Sequence, residues 1–92
     1  AASWGLVNSV VPASELMATA LSLAEQISEA APLAVSAVKE VLRSTEHLGL
    51  EDAYTTLRSG GLSTYQRMLA SEDAREGPRA FAEGRRPEWR GR

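Results

Sequence analysis

From Leu16 to Leu69 apolar residues return at close to a 3.6-residue period, and this constrains the fold more than anything else in the chain. The single β-rich stretch is Trp4-Gly5-Leu6-Val7-Asn8-Ser9-Val10-Val11-Pro12. Closed by proline, it predicts a short extended segment, with no partner strand in this chain. A lone strand leaves backbone N–H and C=O groups unpaired, so the segment needs another sheet edge or a covering surface. The fold class is therefore all-α, with three to four helices preceded by a short extended segment. Ninety-two residues allow one small domain at most. Alanine, leucine and valine make up most of the apolar faces, and only one Phe, two Tyr and two Trp add bulk. Such helices bury little area, so an exposed apolar patch is expected, a docking surface for another domain or for neighbouring subunits.

Ser14 offers an N-cap with Glu15 in the first turn, ahead of an amphipathic helix through Leu16, Ala20, Leu21, Ala24, Ile27 and Ala31. Pro32 suits the first turn of a second helix, with Ala34, Val35, Val38, Val41 and Leu42 on one face and Lys39, Glu40 and Arg43 on another. Gly49 is expected to end it as a left-handed cap near His47. Leu50, Ala53, Tyr54, Leu57, Tyr65, Met68 and Leu69 predict a third helix, with a weak point, kink or close contact at Gly60-Gly61. Ser71 through Glu76 carry the cap and acidic first-turn signals of a fourth, running toward Arg85 with Pro78 inside it. Pro87 to Arg92 reads as an irregular tail with one aromatic anchor, Trp89.

The net charge of −2 argues against a general nucleic-acid or membrane-surface binder. No apolar run reaches the roughly 20 residues of a membrane span. The absence of cysteine removes disulfides and thiol chemistry, and the lone His47 cannot build a histidine-rich metal site, so no metal centre is expected. A cytoplasmic location is expected. From residue 75 onward six arginines stand against three glutamates, so the tail is the one cationic region. Glu51 with Asp52 and Glu72 with Asp73 are sequence neighbours at helix starts and read as capping carboxylates in water, not acid and base partners. His47 reads as a helix C-terminal side chain. No nucleophile elbow or phosphate-cradling loop is present, so no catalytic residue is assigned. Arg85 and Arg86, beside Gly84, could meet an anionic cofactor or partner through their planar forks, or could simply form a salt-bridged terminus. Phe81 and Trp89 read as core or interface anchors.

Several phrases together resemble a known family. Trp4 to Pro12, Ala31-Pro32-Leu33-Ala34-Val35 leading to Lys39, Ser71-Glu72-Asp73-Ala74-Arg75-Glu76-Gly77, Ala80-Phe81-Ala82-Glu83, Arg85-Arg86-Pro87 and Trp89-Arg90-Gly91-Arg92 are similar, in order, to the C-terminal third of the enoyl-CoA hydratase/isomerase (crotonase) family. The resemblance implies the small C-terminal helical domain of the crotonase (ClpP/crotonase-like) fold. Residues 1–12 would join a missing N-terminal spiral domain, and residues 13–92 would form a helical oligomerisation and acyl-CoA pocket domain. In that family the spiral domain carries the oxyanion hole and usually the acidic residues that move protons, so this chain alone is expected to be inactive.

The implied function is a share in hydrating 2,3-unsaturated acyl-CoA thioesters, as in fatty acid metabolism. The chain would supply trimer or hexamer contacts and part of the coenzyme A pocket, with the thioester as substrate and no permanently bound cofactor. By the same resemblance Phe81 matches an aromatic that approaches coenzyme A, with Arg85 and Arg86 as the nearby cations. The family's common Glu-Lys-Arg phrase is here Glu83-Gly84-Arg85, so the usual lysine is missing. Gly61 also replaces a common acidic residue. An isomerase, hydrolase or decarboxylase of the same fold, or a stand-alone helical protein-interaction module, are the competing readings. Neither nucleic acid nor a membrane is an expected partner.

Overall fold

A computed structural model describes residues 1–92 and contains five α-helices and no strand: α1 Leu16–Ser28, α2 Pro32–Thr45, α3 Leu50–Arg58, α4 Ser63–Ala70 and α5 Asp73–Glu83. The all-α expectation holds. The leading stretch differs from the expected extended segment, because a 3-10 turn forms at Ala2–Trp4 and reverses at Gly5 with φ 73°, leaving residues 9–12 to run without turns up to Pro12. Trp4, Leu6 and Val10 all stay exposed along it.

Ser14 does not cap α1. A second 3-10 turn, Ala13–Glu15, closes through Glu15 N–H to the Pro12 carbonyl at 2.9 Å and feeds directly into the helix, which has no side-chain cap. Pro32 does occupy the first turn of α2, where its missing N–H costs nothing. Gly49 is not a left-handed cap: its φ is −68° and it precedes α3 as the extended N-cap residue. The expected third helix is two helices. Gly60 takes φ 79°, and the Ser59 hydroxyl accepts from Gly61 N–H at 3.1 Å while donating to the Thr56 carbonyl at 2.7 Å. The weak point is thus a full break, and splitting one expected helix accounts for five helices in place of four.

The core is narrow. Leu33 and Ala37 of α2, Leu62 ahead of α4 and Ala80 of α5 are its buried apolar residues, and α2 packs chiefly along α4, with α3 to one side. Because residues i and i+4 share a helix face, the buried stripe runs through Leu33 and Ala37, while Val38 and Leu42 of the expected apolar face remain more than half exposed. Glu40 joins α2 to α4 by accepting the Tyr65 backbone N–H at 2.8 Å, so a carboxylate from one helix satisfies the free N-terminus of the other. Burial pulls the Glu40 carboxyl up, but hydrogen bonds from the Tyr65 and Thr64 backbone and from the Thr64 and Ser63 hydroxyls outweigh it and hold it below its ordinary value.

The molecule is open. Its radius of gyration is 16.7 Å, against about 12 Å for a compact chain of this length. Its accessible surface is 7362 Å², against roughly 5,200 Å² for a folded monomer of this mass. No residue of α1 is buried.

Candidate functional site

The residues singled out from the sequence converge on the end of α5. Gly84 takes φ 67°, and two backbone bonds close the helix there: Arg85 N–H to the Ala80 carbonyl at 3.1 Å and Gly84 N–H to the Phe81 carbonyl at 3.2 Å. This is a Schellman cap, and glycine suits it, since a side-chain-bearing residue resists the left-handed region. Phe81, one turn earlier, is 89% exposed. A phenylalanine held so far out of any core presents a flat apolar face with nothing from this chain against it.

The two arginines after the cap have different fates. Arg85 folds back onto Glu76, Nη1 to Oε1 at 2.5 Å and Nη2 to Oε2 at 3.1 Å, a bidentate pair. Its Nε donates to Glu83 at 2.5 Å and Nη1 also reaches the Arg86 carbonyl at 3.1 Å. Those bonds occupy most of its donors, so Arg85 is committed to the fold. Hydrogen bonding to Glu76 and then Glu83 raises its pKa. The Arg86 side chain makes no hydrogen bond or ion pair and is exposed, which leaves it the free cation next to the cap.

Glu76, which the sequence pattern did not single out, is the centre of this region. It is 8% exposed and accepts from Arg85, from Arg79 at 2.7 Å and from the Glu88 backbone N–H at 3.0 Å. The Arg85 bonds first, then Glu88 N–H and Arg79, hold its carboxyl far below the usual carboxylate range. Asp73 was expected in water and is instead 4% exposed, its two oxygens accepting the Arg90 and Gly91 backbone N–H groups at 2.8 and 2.9 Å. The first-turn capping role falls to Ser71, whose hydroxyl accepts Ala74 N–H at 3.1 Å. Glu72, Asp73, Arg75, Glu76, Arg79, Arg85, Glu88 and Arg90 together line a polar cleft of about 400 Å³. Four acidic and four basic side chains line it, and the bonds that Asp73 and Glu76 make to the Glu88, Arg90 and Gly91 backbone N–H groups hold the tail in place. One signal was available for Glu76: it lies three residues before Arg79, the spacing that lets helix neighbours pair.

The remaining candidates lie elsewhere. His47 sits in the exposed turn after α2, and Glu51 and Asp52 are exposed in the first turn of α3. No helix is long and apolar enough to cross a membrane.

Comparison with known proteins adds a family. The family model described as "Enoyl-CoA hydratase/isomerase" matches residues 1–92. Among similar proteins, the carnitinyl-CoA dehydratase of Proteus mirabilis is 57% identical over 89 residues, covering 97% of this chain and 34% of that protein. The protein of the same name from Salmonella typhi is 53% identical over the same span. Among solved structures, an enoyl-CoA hydratase/isomerase from Mycobacterium paratuberculosis superposes with a TM-score of 0.86 at 32% identity, over 99% of this chain and 34% of that one. A putative short chain enoyl-CoA hydratase from Novosphingobium aromaticivorans superposes at 0.82 with 40% identity, over 96% and 33%. The chain spans about a third of the length of the relatives it matches, and corresponds to their C-terminal helical region.

Proposed function

The chain belongs to the enoyl-CoA hydratase/isomerase family, and from that premise we propose that it is the helical part of an acyl-CoA hydro-lyase, supplying subunit contacts and one wall of the coenzyme A pocket. One observation carries this reading: an all-helical body that leaves about 40% more surface open than a folded monomer of its mass, with Phe81 almost fully exposed at the end of α5. That surface is what a domain shows when the rest of its enzyme is absent. Phe81 would offer an apolar face to the adenine, and Arg86 a charge to the phosphates, with glycine and not lysine at position 84. Arg85 would hold the α5 end in shape through Glu76 and not touch the ligand.

The chemistry of the family needs a polarised thioester carbonyl and carboxylates that move a proton and a water. On this reading those groups belong to the other two thirds of the enzyme. The substrate has two candidates. A straight-chain 2,3-enoyl thioester follows from the family and from the solved structures; a carnitinyl thioester is favoured by the 57% identity to the Proteus enzyme. Hydration and dehydration are one reaction read in two directions, so both substrates fit the same class.

The test is kinetic. A polypeptide of the relatives' full length carrying these residues should turn over one of the two thioesters, followed by the absorbance of the conjugated product or substrate, while the 92-residue chain alone should turn over neither. Activity of the chain alone would overturn the division of labour. Inactivity of the long form on both thioesters would overturn the hydro-lyase reading and favour an isomerase, hydrolase or decarboxylase.

A further inference from the structure

α1 is attached to the rest of the molecule by very little. None of its residues is buried, and it packs extensively on no other helix. No ion pair links residues 1–30 to residues 31–92, and one hydrogen bond does: the Trp89 indole Nε1 donates to the Glu29 carbonyl at 2.8 Å. That carbonyl lies just past the last turn of α1, where helix carbonyls lack partners of their own.

The donor is itself firmly held. Trp89 lies over Gly77, where a β-carbon would stand 3.4 Å from its Cη2, and it closes an apolar hollow of about 200 Å³ with Ala31, Leu33 and Pro78. On either side of it the backbone is pinned to α5. Glu88 N–H goes to Glu76, Arg90 and Gly91 N–H go to Asp73, and the Arg92 carbonyl accepts Glu72 N–H at 2.7 Å. Two buried carboxylates thus fix the irregular stretch so that its indole N–H reaches back to α1.

We propose that Pro87–Arg92 is a strap that sets the angle at which α1 leaves the helical body, with Trp89 as its positioning residue and residues 28–30 as the hinge. Pro32 restricts Ala31 to the extended backbone it adopts, φ −56° and ψ 125°, so rotation between α1 and α2 concentrates just before it. With the indole bond in place α1 favours one orientation by about fivefold, the bias a single bond of this kind gives; without it the arm samples a broader range. The strap orders α1 in advance for whatever surface covers it.

The chain has no cysteine, so two labels can be placed cleanly. Spin labels at Glu25→Cys on α1 and Gln66→Cys on α4, both exposed positions, report the angle as a distance measured by pulsed electron resonance. The expected result is one dominant distance in the otherwise unaltered chain. Trp89→Phe, which keeps an aromatic ring of smaller size and loses the N–H, should broaden it, as should Asp73→Asn, with helicity by circular dichroism unchanged. Deleting residues 87–92 should broaden it further. A distribution already broad with the strap intact, or one unmoved by Trp89→Phe, would overturn the proposal. If the deletion or Asp73→Asn unfolds the chain, the Trp89→Phe result decides alone.

Discussion

Residues 1–31 and residues 32–92 use the same apolar alphabet, yet only the second closes on itself. α1 has Leu16, Met17, Leu21 and Ile27 at helical spacing and buries none of them. α2, no richer in large side chains, buries Leu33 and Ala37 because α4 lies alongside. Hydrophobic spacing makes a helix amphipathic, but burial needs a partner surface, and in this chain the arm has none. The body compensates for its thin apolar core with buried carboxylates that collect backbone N–H groups and arginines, the arrangement centred on Asp73 and Glu76. Removing partners in the body should therefore cost far more than changes of similar size in the arm.

Substituting the hub is expected to have the largest effect. Glu76→Ala leaves Arg85, Arg79 and the Glu88 N–H without their acceptor and should lower the melting temperature by roughly 10 °C or more, read by circular dichroism. Acid should do part of the same thing. A carboxyl whose folded pKa is depressed stabilises the fold above its ordinary value of 4.5 and loses that contribution as pH falls below it. Melting temperature should accordingly drop as pH is lowered from 5 toward 3, and the Glu76→Ala variant should drop less over that window; an equal slope in both would remove Glu76 from its central place.

Leu33→Ala in the α2 stripe should cost about 2 to 3 kcal/mol by urea unfolding, the low end for a leucine because the hollow beside it is already partly open. Gly84→Lys places a side-chain-bearing residue at a φ of 67° and should cost about 1 kcal/mol, a loss that would be absent if the cap did not favour glycine. Leu21→Ser in the arm should move stability by no more than about 0.5 kcal/mol. A Leu21→Ser loss matching that of Leu33→Ala would erase the contrast between the two regions.

Much of the secondary structure was legible in local rules: the period of α1, Pro32 at the head of α2 and the acidic start of α5; the glycine pair was read as a weak point in one helix, where it is a full break between α3 and α4. Phrases spread from Trp4 to Arg92, read together and in order, pointed to the family. Caps were read less well. Gly49 carries glycine's freedom without using it, and Ser14 lost its role to a 3-10 turn, because a cap is chosen by the path the chain takes on both sides. The site was half legible. Phe81, Arg85 and Arg86 were picked out by the resemblance, but their difference in fate depends on Glu76, nine residues before Arg85 and across a helix end. Likewise Asp73 looks like any first-turn carboxylate until Arg90 and Gly91 return to it, a contact between residues 17 and 18 positions apart that no local spacing encodes.

The central claim is that the open arm is one side of an interface completed by the rest of a longer enzyme. Amide hydrogen exchange of residues 16–28 tests it most directly, measured once in the 92-residue chain and once in a polypeptide of the relatives' full length. The account predicts near-free exchange across α1 in the short form, beside protected amides in α2 and α4, and strong protection of α1 in the long form. An α1 that exchanges as slowly in the short chain as α2 does, or as freely in the long form as in the short one, would contradict it.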